Sequence, residues 1–534
     1  MKTLTEMIMK ASDASWGFTY FEQGQESRLG GAQFREQALR HLKYMRLHGA
    51  DENSVIIIQI ENDLKFLTVF WACILGGMKI ALLPHAKNQH AGSANQYIMA
   101  SFGKPFVCIS KEERTKEDFC MQFGCPPQIV IDVRNSYVDD STGDVAIYEA
   151  KKDDVAVIQF SSGSTSAPKG ICTTHENIVE TAVSLNEVLD ISSQDKSFSW
   201  LPLNHNLALL GVHMTGTYTG GEQYYMSVYE FLANPLKWMQ YISDKAVTVT
   251  ASPNFGYKHF LSFYEKCAKK PDWDLSGLKL LINGAEPISY ELSELFLSSL
   301  SRHGLRDSVI FAGYGLSETT VCVCGSQFGS KLKKVGLSRD KMNIGDEVEI
   351  DDNGAVFVSV GKPLRCNDIR ITGNDGRLLG QGTIGNIEVR GKNVMNSYFN
   401  DAKKTEEAFT PDGWLKTGDV GVIINELVYV TGRSKDIIFI AGKNYFPNDF
   451  EKLIEDEFPE LKNKIAVCGI HSKTIETEQI ALFVETGNEE LNQELMKEVR
   501  QFFSKTTQLQ INRVTPVGEL PRTPNGKLQR YKLL

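Results

Sequence analysis

Short apolar runs alternate with stretches of helical period over roughly the first three hundred residues. Uninterrupted runs of this kind suit strands buried on both faces, as in a parallel sheet wrapped by helices. Val55–Ile60 (VIIIQI), Val155–Phe160 (VAVIQF) and Leu278–Ile282 (LKLLI) are predicted strands, and Asn62 and Asp63 supply capping groups for a helix after the first. From about Lys341 to Val430 the pattern changes to segments punctuated by Gly and Asp (AVFVSVG, CNDIRITGNDG, IGNIEVRG, LVYVTG), which predict strands and turns of a small barrel or sandwich. After Arg433 it resets, with a helix over Pro447–Phe458, strands at Ile465–Ile470 and Gln479–Glu485, and a helix over Glu489–Phe503. The expected architecture is α/β, with a large N-terminal domain over 1–434 and a small mobile α+β domain over 435–534. The large domain divides into α/β subdomains to about 340 and a β-rich subdomain over about 341–434. No repeat or low-complexity linker separates the two domains, so the boundary is a short hinge.

Composition narrows the class. A chain of 534 residues, 42% hydrophobic and 23% charged, is globular rather than disordered or fibrous. With 57 basic against 66 acidic residues it has no large positive field to bind nucleic acid. Ten scattered cysteines read as reduced thiols, and the closest pair, Cys322 and Cys324, lacks the further ligands of a zinc site. The N-terminus has no apolar signal core, the longest apolar stretch, Phe66–Met78, is too short to span a bilayer, and Lys532, Leu533 and Leu534 form no peroxisomal address. A cytoplasmic protein without stable membrane insertion is expected.

The segment most suggestive of chemistry is Phe160–Gly170, FSSGSTSAPKG, between two β-like stretches. Small hydroxylated residues and glycines let amides and hydroxyls approach a phosphate, and Lys169 adds positive charge. It is neither a Walker A loop nor a dinucleotide fingerprint. Five further segments follow in order: NGAEP (Asn283–Pro287), YGLSET (Tyr314–Thr319), GWLKTGDVG (Gly413–Gly421), TGRSKD (Thr431–Asp436) and PRTPNGKLQR (Pro521–Arg530). Each alone has an ordinary explanation as a turn, a core aromatic or a surface lysine.

Together and in this order they resemble the signatures of the adenylate-forming superfamily, which includes acyl-CoA synthetases, adenylation domains of nonribosomal peptide synthetases and fatty-acyl-AMP ligases. The resemblance implies that Ser161, Ser162, Gly163, Ser164, Thr165 and Lys169 surround the phosphates of ATP, and that Gly284, Ala285 and Glu286 line the adenine pocket. Tyr314, followed by Gly315, stacks on adenine. Ser317 lies near the α-phosphate and Glu318 holds Mg²⁺. Asp419, at a strand end, accepts from the ribose hydroxyls, Arg433 stands on the ribose side and Lys435 is the hinge pivot. Lys527 reaches into the site during adenylation. The chemistry needs such groups: when a carboxylate attacks the α-phosphate, negative charge gathers on the phosphoryl oxygens and on the departing pyrophosphate.

Two features point to a branch. Trp200–Gly211 (WLPLNHNLALLG) and Ala251–Tyr257 (ASPNFGY) lack the aspartate with which peptide-synthetase domains hold an α-ammonium group, and instead resemble fatty-acyl-AMP ligases. His205 joins the catalytic set on that likeness, but His205-Asn206 stands where those proteins usually carry His-Asp, so one local charge is missing. His213, Tyr218 and Tyr224 lie nearby and read more readily as packing residues. Glu318 and Gly361 are 43 residues apart, and the extra stretch, about Lys331–Val358, resembles the insertion that in fatty-acyl-AMP ligases restrains the C-terminal domain and disfavours CoA. GKNYFPNDFE (Gly442–Glu451) resembles the same branch, and Ser166 replaces a glycine common in the phosphate loop.

The implied activity is ATP- and Mg²⁺-dependent conversion of a carboxylic acid, fatty or related, to acyl-AMP. Transfer to the phosphopantetheine thiol of an acyl carrier protein follows, in a lipid, polyketide or nonribosomal peptide pathway. The chain ends four residues past Arg530, so the carrier is expected in trans. An acyl-CoA ligase, a stand-alone adenylation enzyme for an amino or hydroxy acid, and a silent nucleotide-binding member are the alternatives, the last disfavoured by Glu318, Asp419, Arg433 and Lys527.

Overall fold

The computed structural model describes residues 1–11, 16–22, 24–60, 64–83, 98–110, 120, 126, 129–137, 145–161, 169–440, 443–472, 477–487, 489–522 and 528–534. The capping pair Asn62 and Asp63, the loop residues Ser162, Gly163, Ser164, Thr165 and Ser166, and Lys527 lie outside the described residues. Two large sheets dominate. One has seven strands, ordered Ser397–Tyr398, Lys169–Thr174, Val155–Ser161, Lys79–Leu82, Val55–Gln59, Phe106–Ile109 and Val130–Asp132. Its last five are parallel, and the buried VIIIQ and VAVIQF runs fall among them. The other has nine strands, in which Ile310–Tyr314, Leu280–Asn283, Val249–Ala251, Lys196–Ser199, Glu222–Met226 and Gly17–Glu22 run parallel between antiparallel edges.

Helices fill the space between the sheets. One core joins Ile80, Leu82 and Val157 of the smaller sheet to Phe18, Tyr20 and Tyr225 of the larger, through Ile178, Ala182, Leu210 and Met214 of intervening helices. His175–Leu189 starts with a reciprocal cap between Thr174 and Asn177, which satisfies two of the amides exposed at a helix start. Leu64–Gly76, from the longest apolar stretch, is a core helix buried from Phe66 to its end. Among the described residues no helix is long and apolar enough to cross a membrane.

His213 belongs to this core. Its Nε2 accepts from Trp71 Nε1 (2.9 Å), and its Nδ1 stands 3.0 Å from Gln223 Oε1 and 2.8 Å from Tyr225 Oη. Tyr224 donates to Glu222 Oε2 (2.7 Å) and Tyr218 packs on the same core as His213. All three are packing residues. Cys322 and Cys324 are buried, the first donating to the carbonyl of the second, and burial raises both thiols.

In the β-rich stretch, Asn367–Thr372, Gly385–Gly391, Leu415–Ile424 and Leu427–Arg433 form a four-stranded antiparallel sheet. The ribbon Lys334–Leu337/Ala355–Val358, within the extra stretch, packs on it through Leu337, Phe357, Val420 and Tyr429. The result is two antiparallel layers. The following residues close a core of their own, in which Ile438, Phe450, Ile454, Val467, Leu482 and Phe503 meet. The last long helix spans Gln493–Thr507, four residues later than Glu489–Phe503, because Asn492 caps it by accepting from Leu495 N.

Burial holds three histidines neutral: His41 and His175 are lowered from 6.5 to about 4, and His213 to about 3. The unfolded chain therefore takes up protons first as the pH falls. Stability, full above about pH 6.5, drops toward pH 4 by up to about 1.4 kcal/mol per unit per histidine. Urea melts at pH 7, 5.5 and 4.5 should show that slope, and His213→Gln should flatten it.

Candidate functional site

A cavity of about 2010 Å³ opens at the carboxyl ends of the parallel strands and is closed from the other side by residues after 431. Ligands of open α/β sheets bind at strand ends of this kind. Its floor is set by close backbone approach. A Cβ on Gly284 would lie 2.7 Å from Gly313 O, and one on Gly315 would lie 2.1 Å from Val321 O, so these turns admit glycine alone. Between them Ala285 has φ 71°, and the Glu286 carboxylate accepts from Phe255 N (3.2 Å).

Asp419 is buried and takes two charged or polar partners. Tyr314 Oη donates to Oδ2 (2.7 Å), and Arg433 Nε lies 3.1 Å from Oδ1. The carboxylate raises the Arg433 pKa further, and burial with Asp419 pushes the Tyr314 phenol well up. Asp419 is not at a strand end: it sits inside Leu415–Ile424, opposite Arg433, beside a register shift at Val420/Gly421. A bulge of this kind turns a side chain where a regular strand could not. Thr417 supports it, accepting from Asp419 N (3.0 Å) and donating to Ile387 O (2.8 Å).

Glu318 is held from the far side of the cavity. Ser317–Thr319 form a short 3-10 turn, followed by Thr320 at φ 64°, a strained angle for a β-branched residue. Residues 393–398 hold that bend: Thr320 Oγ1 donates to Asn393 O (2.8 Å) and Met395 N to Glu318 O (2.8 Å). Tyr398 then donates to Glu318 Oε1 (3.1 Å), and Lys169 Nζ lies 4.9 Å over its ring. Glu318 thus lines the cavity with one oxygen held by Tyr398.

His205 lies on the turn before Leu207–His213, which is wound as a π-helix. Its Nδ1 accepts from Leu207 N (3.2 Å), so the proton resides on Nε2. Asn206 Oδ1 accepts from the same amide (2.9 Å), and its Nδ2 reaches Ser317 Oγ at 3.5 Å. Lys435 lines the cavity, its pKa lowered by burial and by neighbouring Arg433.

The structure thus brings Lys169, His205, Gly284, Ala285, Glu286, Tyr314, Gly315, Ser317, Glu318, Asp419, Arg433 and Lys435 to one cavity. Ser161 pairs with Lys169 across a strand pair at its edge. Arg522 and Leu528, which flank the segment holding Lys527, also line it. Sequence reasoning passed over Tyr398 and Thr417. Tyr398 carries no motif and its partner lies 80 residues away, whereas Thr417 stands inside GWLKTGDVG, where attention fell on Asp419.

The extra stretch and the C-terminal unit meet through polar contacts. Arg339 donates from Nε and Nη2 to both oxygens of Asp449 (2.7 and 2.9 Å), Lys443 pairs with Asp340, and Asn444 N donates to Asn343 Oδ1 (2.8 Å). Lys452 pairs with Glu291 (2.7 Å) on the neighbouring helix. The Arg339–Asp449 fork is largely shielded, with side chains 27% and 13% exposed, which makes it the strongest of these pairs. Arg339→Ala should loosen the clamp, and limited proteolysis near residues 434–440 should run several-fold faster with the main melting transition retained. Unchanged cleavage would mean that the remaining contacts hold the unit without the Arg339–Asp449 fork.

A family model described as AMP-binding enzyme matches residues 13–399. The medium-chain-fatty-acid–[acyl-carrier-protein] ligase JamA of Moorena producens is 28% identical over 401 residues, 72% of this chain and 67% of its own length. A solved chain from structural and functional studies of fatty acyl-adenylate ligases from E. coli and L. pneumophila superposes with a TM-score of 0.89 at 25% identity, covering 100% of this chain and 97% of that one. The McyG A-PCP structure complexed with phenylalanyl-adenylate superposes with a TM-score of 0.86 at 25% identity, covering 99% and 94%. The chain belongs to the AMP-binding enzyme family and is an adenylate-forming ligase.

Proposed function

We propose that this ligase activates a fatty or related acyl acid with ATP to acyl-AMP, then passes the acyl group to the phosphopantetheine thiol of an acyl carrier protein on another chain. The observation that carries this reading is the meeting of Tyr314, Asp419 and Arg433, Glu318 and Lys169, and the His205 turn in one cavity that the flanks of Lys527 also reach. In the first step a carboxylate oxygen of the acid bonds to the α-phosphorus, and the bond to the β-phosphate oxygen breaks. Pyrophosphate leaves. Tyr314 packs on adenine, while Asp419 accepts from the ribose hydroxyls beside Arg433. Lys169, Lys527 and the hydroxyl-rich loop 161–165 oppose the growing charge. Glu318 would hold Mg²⁺, which when bound neutralises phosphate charge. His205, with its proton on Nε2, stands ready to donate toward the acid. In the second step the thiol sulfur attacks the acyl carbonyl and AMP leaves, after the C-terminal unit, 435–534, turns about Lys435.

The carrier rather than CoA is favoured by the clamp of Arg339, Asp340 and Asn343 on the C-terminal unit, which supports restraint of the domain by the extra stretch. JamA, by its name, uses an acyl carrier protein. Purified protein with ATP, Mg²⁺ and a panel of carboxylic acids should form acyl-AMP detectable by mass spectrometry. Acyl-carrier should follow in the presence of a phosphopantetheinylated carrier, and little acyl-CoA in the presence of CoA. Abundant acyl-CoA would transfer the assignment to an acyl-CoA ligase, and adenylation of amino acids alone would transfer it to a peptide-synthetase type of activity. Lys527→Ala should slow adenylate formation on the order of 10²–10³-fold with the melting temperature retained. Adenylation at the wild-type rate would remove Lys527 from the mechanism.

A further inference from the structure

Two of the described residues lining the cavity carry buried side-chain atoms without a hydrogen-bond partner among the described residues. One is Asn283, whose Oδ1 is unpartnered but whose Nδ2 donates to Asn254 Oδ1 (3.2 Å). The other is Gln159, 6% exposed, where both Oε1 and Nε2 are unpartnered. An amide buried with neither end satisfied costs free energy on folding, of about 1–3 kcal/mol per group, unless something that binds later completes it.

The position of Gln159 limits what that can be. It lies near the carboxyl end of Val155–Ser161, opposite Leu82 in register, on the face that carries Val157 toward the space between the two sheets. The residue just after the neighbouring strand, Leu83, accepts through its carbonyl from Asn204 Nδ2 (3.2 Å), which lays the Asn204–His205–Asn206 turn against the end of this strand pair. From that turn the helix starting at Leu207 continues along the cavity, presenting Gly211, Val212, Thr215 and Thr219 at helical spacing, while Leu185, Leu189 and Phe311 line the same cavity from other elements. Gly211, Val212, Leu185, Leu189 and Phe311 give this wall apolar surface, and Thr215 and Thr219 donate their hydroxyls to backbone carbonyls, which suits an acyl tail. Gln159 therefore lines the cavity beside the turn that carries His205.

The chemistry of the two free atoms distinguishes the candidates. The methylenes of an unsubstituted acid leave both unpaired. A carboxylate oxygen accepts from Nε2 and leaves Oε1 orphaned. A hydroxyl donates to Oε1 and accepts from Nε2, and so completes the amide. We propose, resting on the adenylation reading above, that Gln159 is a specificity-determining residue that binds a hydroxyl close to the carboxylate, and that the favoured substrates are hydroxylated acyl acids. Asn206, neutral where the resembling proteins carry a charge, keeps the neighbourhood compatible with a neutral polar group.

The test compares octanoate with 2-hydroxyoctanoate and 3-hydroxyoctanoate in ATP–pyrophosphate exchange by the full chain. A site built to pair a substrate hydroxyl discriminates against the analogue that lacks it, so kcat/KM for one hydroxy acid should exceed that for octanoate by about tenfold or more. Gln159→Leu should collapse this ratio, chiefly by loss of the hydroxy acid, and Gln159→Asn should recover part of it. Adenylation of octanoate as efficient as that of both hydroxy acids in the wild type would overturn the proposal while leaving the adenylation reading intact. So would a ratio that survives Gln159→Leu, or a variant impaired only in transfer to the carrier, which would assign the amide to the pantetheine arm. Exchange with none of these or any other acid would overturn both.

Discussion

The site is organised around one buried carboxylate. Asp419 ties the end of a strand of the nine-stranded sheet, through Tyr314, to the last residue of the β-rich sheet, Arg433. A buried charge is tolerated only when paired and hydrogen-bonded, so the Tyr314 phenol and the Arg433 guanidinium are conditions for Asp419 being there at all. Satisfying it fixes the distance between two layers that share no backbone hydrogen bonds at this point. It also sets where the chain leaves for the C-terminal unit, because Arg433 is the last residue of its strand. A ligand that hydrogen-bonds to this carboxylate would bear on the angle at which the chain leaves the sheet as well as on its own pocket.

Much of this was legible in the chain. The apolar runs at Val55 and Val155 mark buried parallel strands because burial on both faces removes alternation, and the structure sets them side by side with the strand at Lys79. Two motif residues far apart in the chain come together, since Tyr314 and Asp419 meet although 105 residues apart. What was illegible depends on long-range geometry. The bulge beside Asp419 arises from pairing with Arg433, so local sequence reads a strand end where the strand continues. The start of the last helix was misplaced because Glu489–Leu491 has ordinary helical composition, and the cap at Asn492 decides the boundary. Tyr398 owes its place to a bend at Thr320 that no nearby residue announces.

The contacts of the C-terminal unit are of a different kind from those inside each core. Its interior is aliphatic and aromatic, whereas its attachment to the extra stretch and the neighbouring helix includes several charged pairs. Charged contacts at a surface lose little when exchanged for water, so such an attachment separates the stability of the unit from its orientation. On the proposed two-step reading, a swing of the unit would break these contacts and leave its own core intact.

The wide turn at Leu207–His213 has an evolutionary reading. A π-helical segment holds more residues per turn than an α-helix, and commonly marks a single inserted residue. Here it lets His213 stay among Trp71, Gln223 and Tyr225 while Gly211 and Thr215 face the cavity. A length change upstream that the turn does not absorb would rotate the following face by about 100° per residue. The wall that this helix offers to the cavity could thus be redrawn by a length change, with Glu318, Asp419 and Arg433 unaltered. Diversification of tail preference through insertion and deletion, rather than through point substitution, is a route this architecture leaves open.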